Sequence, residues 1–300
     1  MATATNTILI FGCGYLGHRT AKLWQAVGYD VHAVTRSRTR CDEFRREGLK
    51  SIVADVTCPE SLSDLPVAET VLFAVGFDRS TGEDIHAVYA LGVGNALAAL
   101  PATVKRFIYI STTGVYGSAG GDWVDESTPP DPQRDGGRAS LAAEKILAAH
   151  PLGRRSVILR LAGIYGPNRV PYLDKLRAGE PLAVPSSGWL NLIHVDDAAG
   201  IVLAADAWLQ QRSHADGPHV FCVGDGAPVA RGDYYAEVAR LIGAPPPSFC
   251  TPPKNSPTAA RAAADRRVSN HKMLDSLGIV LRYPNYRVGL AAILGSEYGC

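Results

Sequence analysis

Six short apolar runs punctuate the first half of the chain: Ile8–Phe11, Val31–Val34, Ser51–Ala54, Thr70–Val75, Arg106–Ser111 and Ser156–Leu161. Longer stretches with helical character separate them. Glu83–Leu100 is alanine-rich and long enough for about five helical turns, and Ala139–Ala149 is a shorter helix of the same kind. Strands that alternate with helices predict βαβ units and a buried parallel sheet covered on both faces. The two small-residue helices could cover that sheet or pack against a second subunit. Past Tyr165-Gly166-Pro167 the pattern loosens, and Gly179–Gly188 is rich in proline, glycine and serine. Asn191–Ala205 then reads as strand and helix, His219–Gly224 as a strand, and Asn270–Leu277 and Tyr286–Leu294 as helices. Ala244–Pro257 carries six prolines and reads as an ordered loop or a crossing into a smaller lobe.

Chemistry enters at Gly12-Cys13-Gly14-Tyr15-Leu16-Gly17, which lies between the first strand and the first helix. Strand, glycine turn and helix form the context of a dinucleotide-binding fingerprint. Gly12 allows the tight turn, Gly14 lets a pyrophosphate approach the backbone, and Gly17 lets helix and strand pack closely. The phosphates would rest on unpaired N–H groups at the helix start, where the helix dipole favours negative charge. The segment is therefore read as the opening of a Rossmann domain, an α/β fold with a doubly wound parallel sheet. That domain is expected over residues 1–166 and a smaller, mainly substrate-binding lobe over 167–300, with 190–224 returning to the first domain.

The second strand ends in Thr35-Arg36-Ser37-Arg38, where NAD-binding units usually carry an acidic residue for the ribose 2′-hydroxyl. A carboxylate would repel a 2′-phosphate, whereas a guanidinium can bond it in two places. The expectation is therefore NADP, with NAD as the alternative. Asp55, after the third strand, is placed to accept a bond from the adenine amino group.

Bulk composition narrows the rest. The chain has 300 residues, 46% hydrophobic and 20% charged, with a net charge of +1. That is a globular composition with no electrostatic case for nucleic acid or an acidic membrane. No apolar run approaches the ~20 residues that span a bilayer. The start shows no signal-peptide pattern, so a cytoplasmic location is expected. The six cysteines are scattered without a C-x-x-C pair, which argues against a zinc site and a disulfide scaffold. Cys13 would lie beside the phosphates, where a helix start can promote a thiolate, although a small filler is the simpler role.

Four later segments extend the pattern: Ser111-Thr112-Thr113-Gly114-Val115-Tyr116-Gly117, Val124–Pro129, Leu159–Pro167 and Asn191–Ala198. In this order they resemble the extended short-chain dehydrogenases/reductases, the NAD(P)-dependent epimerase/dehydratase family, over essentially the whole chain. The resemblance implies a Rossmann domain, a smaller substrate lobe with the active site between the two, and frequent homodimers. It points to a small-molecule substrate, with a nucleotide-sugar as one candidate. The implied cofactor contacts are Gly12, Cys13, Gly14, Tyr15, Leu16, Gly17, Arg36, Ser37, Arg38, Asp55, Val56, Ala74, Val75, Gly76 and Ser111. Thr113, Arg138 and Tyr165 are the candidate substrate contacts.

One departure bears on mechanism. The family transfers hydride with a Tyr-x-x-x-Lys motif, and alignment on Leu141–Lys145 puts Gly136 at the tyrosine and Ser140 at the lysine. Lys145 falls about one and a half turns too late to replace it. The chain thus resembles an atypical subgroup that has lost the usual acid/base. Thr112 matches the family's active-site Ser/Thr, and Tyr116 is the best remaining phenol nearby; these two are the candidate catalytic residues. Two readings follow: an NADP-dependent oxidoreductase or epimerase with a non-standard proton donor, or a catalytically impaired NADP(H)-sensing or partner-binding module. His194, beside Asp196-Asp197, and Arg160 are read as structural.

Overall fold

The computed structural model describes residues 6–212, 216–254 and 256–298. In chain order the elements begin β1 (Thr7–Phe11), α1 (Tyr15–Ala26), β2 (Asp30–Thr35), α2 (Arg38–Arg46), β3 (Lys50–Val53), β4 (Thr70–Phe73), α3 (Gly92–Ala99) and β5 (Arg106–Thr112). They continue with β6 (Trp123–Val124), α4 (Asp135–Ala149), β7 (Ser156–Leu161), β8 (Gly163–Tyr165), α5 (Leu173–Arg177), β9 (Trp189–Leu190), β10 (Leu192–His194) and α6 (Val195–Gln210). Then come β11 (His219–Val223), β12 (Val229–Ala230), α7 (Arg231–Leu241), α8 (Pro257–Ala262), β13 (Arg267–Val268), α9 (His271–Leu277) and α10 (Tyr286–Tyr298).

The chain divides into two compact units. The first comprises residues 1–115, 135–160 and 199–221; the second comprises 116–134, 161–198 and 222–300. A boundary at 166 with a return over 190–224 differs from this division in three places, the first being that the stretch from 135 ends at 160 and leaves 161–166 to the second unit. Residues 116–134 join the second unit because β6 pairs with β13, some 140 residues on, through Trp123↔Arg267 and Val124↔Val268. The return is confined to 199–221 because β10 pairs with β8, within the second unit.

The first unit is built on a seven-stranded sheet in the order β11-β7-β5-β4-β1-β2-β3, a doubly wound Rossmann arrangement. Strands β3, β2, β1, β4 and β5 run parallel to their neighbours. All five residues of β1 and all four of β4 are buried, as unbroken apolar strands covered on both faces must be. β3 lies at the sheet edge and is only half-buried. Phe11, Phe73, Phe107, Tyr109, Val93, Leu97 and Leu147 form the centre of its core.

Two helices differ from expectation. Glu83–Leu100 is not one regular helix: it widens into a π-helical turn over Ala87–Leu91 before α3 begins. At that junction a Cβ on Gly92 would stand 2.9 Å from Val56 Cγ2, so the glycine lets the helix seat on the loop after β3. α4 starts four residues earlier than Ala139. Asp135 supplies the acidic group of its first turn and bonds Arg138, and Gly137 is buried rather than helix-breaking.

The second unit packs Tyr165, Leu176, Leu182, Leu192, Tyr234, Val238, Leu290 and Leu294 into a core of its own. It holds three two-stranded ladders, β10–β8, β12–β9 and β13–β6. Among the described residues no helix is long and apolar enough to cross a membrane.

Candidate functional site

The β1–α1 turn places its glycines for distinct physical reasons. Gly12 has φ +83°, and a Cβ there would stand 2.5 Å from the Ala74 and Val75 backbone. Only glycine allows the turn to lie on the end of β4. A Cβ on Gly17 would overlap the Gly12 carbonyl, so helix and turn are in direct backbone contact. Gly14 is different: a Cβ would meet nothing within 4 Å. The space above it is open, as the approach of a ligand requires. Gly14 N donates to Gly12 O at 2.8 Å and His18 N to Gly14 O at 2.9 Å, which fixes the start of α1. Leu16 is buried beneath the helix start, and the Tyr15 ring lies under the Arg19 guanidinium at 4.3 Å.

The remaining expected cofactor contacts lie around this turn in the first unit. Arg36 and Arg38 are exposed at the end of β2. Ser37 caps α2 by accepting a bond from Arg40 N at 3.2 Å. Asp55 Oδ1 accepts from Thr57 N at 2.9 Å and Thr57 Oγ1 at 2.8 Å, and among the described residues Oδ2 has no partner. Val56 is buried, and its carbonyl accepts from Asn95 Nδ2 at 2.8 Å. A Cβ on Gly76 would meet nothing within 4 Å.

Local packing bears on three of the expected contacts. Ser111 is buried and donates its hydroxyl to Glu144 Oε1 at 2.5 Å, so that group is committed to a buried ion pair. Tyr165 lies in the core of the second unit with its phenol against Gly289, its ring edge-on to His194, and its pKa raised by burial. It is part of the packing of that unit. The Cys13 thiol is not an activated group: burial pushes its pKa up to about 12, which outweighs the cationic side chains around it.

Thr112 is half-buried at the end of β5, and its Oγ1 accepts from Gly114 N at 3.0 Å. That bond holds the oxygen and leaves the hydroxyl hydrogen to donate. Thr113 is buried in the turn that follows. Arg138 is exposed and bonds Asp135 at 2.7 Å on the outer side of α4. Ser140 is buried on the same helix and faces the Tyr109 phenol, whose pKa is raised by burial. Gly136, one turn earlier, presents only an open position beside Ile85.

In the second unit Tyr116 is buried, with its hydroxyl 3.2 Å from Cys222 Sγ. Cys222 N donates to Glu126 Oε1 at 2.6 Å, and Asp125 caps its own turn through Ser127 and Thr128. Arg266 is buried and donates to Gly117 O at 3.1 Å; burial lowers its pKa to about 10, with Arg134 adding to the shift. Among the described residues no group of three or more His, Cys, Asp or Glu side chains could hold a metal ion.

Sequence reasoning missed Glu144 and Arg231. Glu144 is legible in retrospect, since it lies eight residues after Gly136 and four after Ser140, on the sheet-facing side of one helix. Arg231 carries no such signal.

These elements define a dinucleotide-binding α/β protein. The sequence profile of the NAD dependent epimerase/dehydratase family matches residues 8–224, and the chain belongs to that family. It is 31% identical over 288 residues to Protein YeeZ of Escherichia coli K12, covering 93% of this chain and 96% of that one. It is 28% identical over 321 residues to a 3-diazoavenalumate denitrifying reductase of a Streptomyces species, covering 94% and 98%. A solved structure of a putative NAD-dependent epimerase/dehydratase from Methylobacillus flagellatus is 32% identical, with a TM-score of 0.77 over 98% of this chain and 99% of that one.

Proposed function

We propose that the protein is an NADP-dependent oxidoreductase or epimerase that acts on a nucleotide-sugar or another small carbonyl compound with a non-standard proton donor. The observation that carries this reading is the β1–α1 turn. Its glycines are packed where backbone contact demands them, and it is open at Gly14, where an anionic ligand needs room. Arg36, exposed at the end of β2 with no carboxylate in its place, supports NADP over NAD. Gly12–Gly17 would hold the pyrophosphate, Arg36 to Arg38 the 2′-phosphate, and Asp55 the adenine through Oδ2. When bound, the nicotinamide supplies hydride, and the protein supplies orientation and electrostatics.

Thr112 is the group offered to the substrate oxygen, because its hydroxyl hydrogen is uncommitted while its oxygen is held. Tyr116 is the further phenol candidate, and its buried pairing with Cys222 ranks it behind Thr112. The family membership and the reductase named among the relatives support redox chemistry on a small molecule. The test is turnover across a panel of nucleotide-sugars and small carbonyl compounds, read as NADPH consumption for a reductase and as epimerised product, with no net coenzyme consumption, for an epimerase. Turnover that falls by a factor of ~10²–10⁴ in Thr112→Val supports the reading, and no turnover across the panel defeats it.

A second reading, an NADP(H)-sensing or partner-binding module, draws on Gly136 and Ser140. Neither supplies a proton donor with the charge support of a Tyr–Lys pair, and Ser140 faces Tyr109 in the core. It predicts coenzyme binding with unequal thermal stabilisation by NADP and NADPH, and no turnover.

A further inference from the structure

We propose that Arg231 is the binding group of an anion subsite in the second unit, for a singly charged oxyanion: a carboxylate or a phosphodiester. Arg231 opens α7 and is 5% exposed. Its Nη1 donates to Pro185 O at 3.2 Å and Ser187 O at 2.5 Å. Two neutral carbonyls thus take both Nη1 hydrogens, while among the described residues Nε and Nη2 have no acceptor.

A buried cation without a counter-charge is costly. Arg160 and Arg106 offset that cost with a carboxylate. Arg160 bonds Glu144 through Nε and Nη2, and Arg106 lies 2.8 Å from Asp206. Among the described residues Arg231 has no carboxylate within ion-pair distance. Asp265 acts on it only through space and accepts a bond from Trp189 N at 3.1 Å.

The unused edge has a defined shape. Nε–H and Nη2–H point the same way, at the spacing of two oxygens on one carboxylate or phosphate. The carbonyls on Nη1 fix the guanidinium plane, so little rotamer freedom remains to be lost on binding. Gly188, with φ +86°, lies against the guanidinium: a Cβ there would stand 3.4 Å from Nη1 and 3.6 Å from Nη2. Tyr172 and Tyr235 also lie within electrostatic reach of the guanidinium. Asp265 limits the net positive charge on offer, which favours one negative charge over two. Calling this ligand a part of the substrate rests on the functional reading above. The binding itself does not, since every residue involved belongs to the second unit.

The test is calorimetric titration of the full chain with two probes, with and without saturating NADP. Free glucuronate offers a carboxylate without phosphate; dimethyl phosphate offers a singly charged phosphodiester without a carboxylate. A probe seated at the glycine turn is displaced by NADP, whereas one seated at Arg231 is not. The expected result is that at least one probe binds in the presence of NADP and binds ~10- to 100-fold more weakly to Arg231→Met. Which probe binds identifies the oxyanion. Arg231→Lys keeps the charge and a donor for the carbonyls but loses the parallel pair, so it must also weaken binding by about tenfold. It decides the matter if the methionine variant does not fold. The proposal is overturned if neither probe binds, or if the folded variants bind within about twofold of the wild type. Failure of NADP to bind would defeat the functional reading alone, because the comparison of variants would still report on Arg231.

Discussion

Glu144 on α4 and Arg160 on β7 meet through two hydrogen bonds, Nη2 to Oε2 at 2.6 Å and Nε to Oε1 at 3.0 Å, with both side chains 6% exposed. Ser111 on β5 adds its hydroxyl to Oε1 at 2.5 Å. One carboxylate therefore ties a helix to two strands of the sheet, next to Thr112. Removing it leaves an uncompensated guanidinium and a hydroxyl without its acceptor. Glu144→Ala is expected to lower the unfolding free energy by ~3–5 kcal/mol, as read from chemical denaturation. A loss below ~1 kcal/mol would show that water replaces the pair.

Gly12 and Gly14 separate folding from binding. Gly12→Ala forces a Cβ into the Ala74 backbone and is expected to destabilise the first unit strongly. Gly14→Ala meets nothing within 4 Å, so its melting temperature is expected to stay close to wild type. Its affinity for NADP should nevertheless fall at least ~10-fold, because the methyl group occupies the ligand's approach. Thermal scans with and without coenzyme read both effects.

Arg36 carries the coenzyme preference. Arg36→Ala is expected to weaken NADP binding by ~10- to 100-fold, the worth of a charge-assisted bond, and to leave NAD binding nearly unchanged. Titration calorimetry with the two coenzymes checks this. Equal losses would mean that the arginine does not read the 2′-phosphate.

Asp225 makes the second unit sensitive to pH. Burial raises its pKa from 3.8 to about 7, Asp197 adds to the shift, and Oδ2 has no hydrogen-bond partner. Between these two values the unfolded chain has released the proton and the folded chain retains it. Stability therefore falls as pH rises from about 4 to about 7 and levels off above. Asp225→Asn abolishes this dependence while keeping an oxygen for Ala227 N. Relative to wild type, the variant should gain on the order of several kcal/mol between pH 4 and pH 8, as measured by denaturant midpoints. A constant difference across that range would contradict the shift.

Local pattern alone located β1, β2, β3, β4, β5, β7 and β11, the glycine turn and its open position, and the basic end of β2. Each of these depends on side chains within a few residues of one another. Unbroken apolar strands must be covered on both faces, and a turn seated on a neighbouring strand must be glycine. Partnerships formed at long range decided the rest. Ser111 reads as a ligand contact in the sequence, and Glu144, 33 residues away, takes its hydroxyl. Tyr165 sits in a segment that matches a binding motif, yet Gly289 makes room for it in the core. Arg231 is an unremarked arginine in the sequence, and it becomes a buried guanidinium with a free edge only when carbonyls 44 and 46 residues away close around Nη1. Such roles depend on which groups desolvate one another. Spacing along a chain does not specify that, because burial and hydrogen-bond satisfaction belong to the packed molecule as a whole.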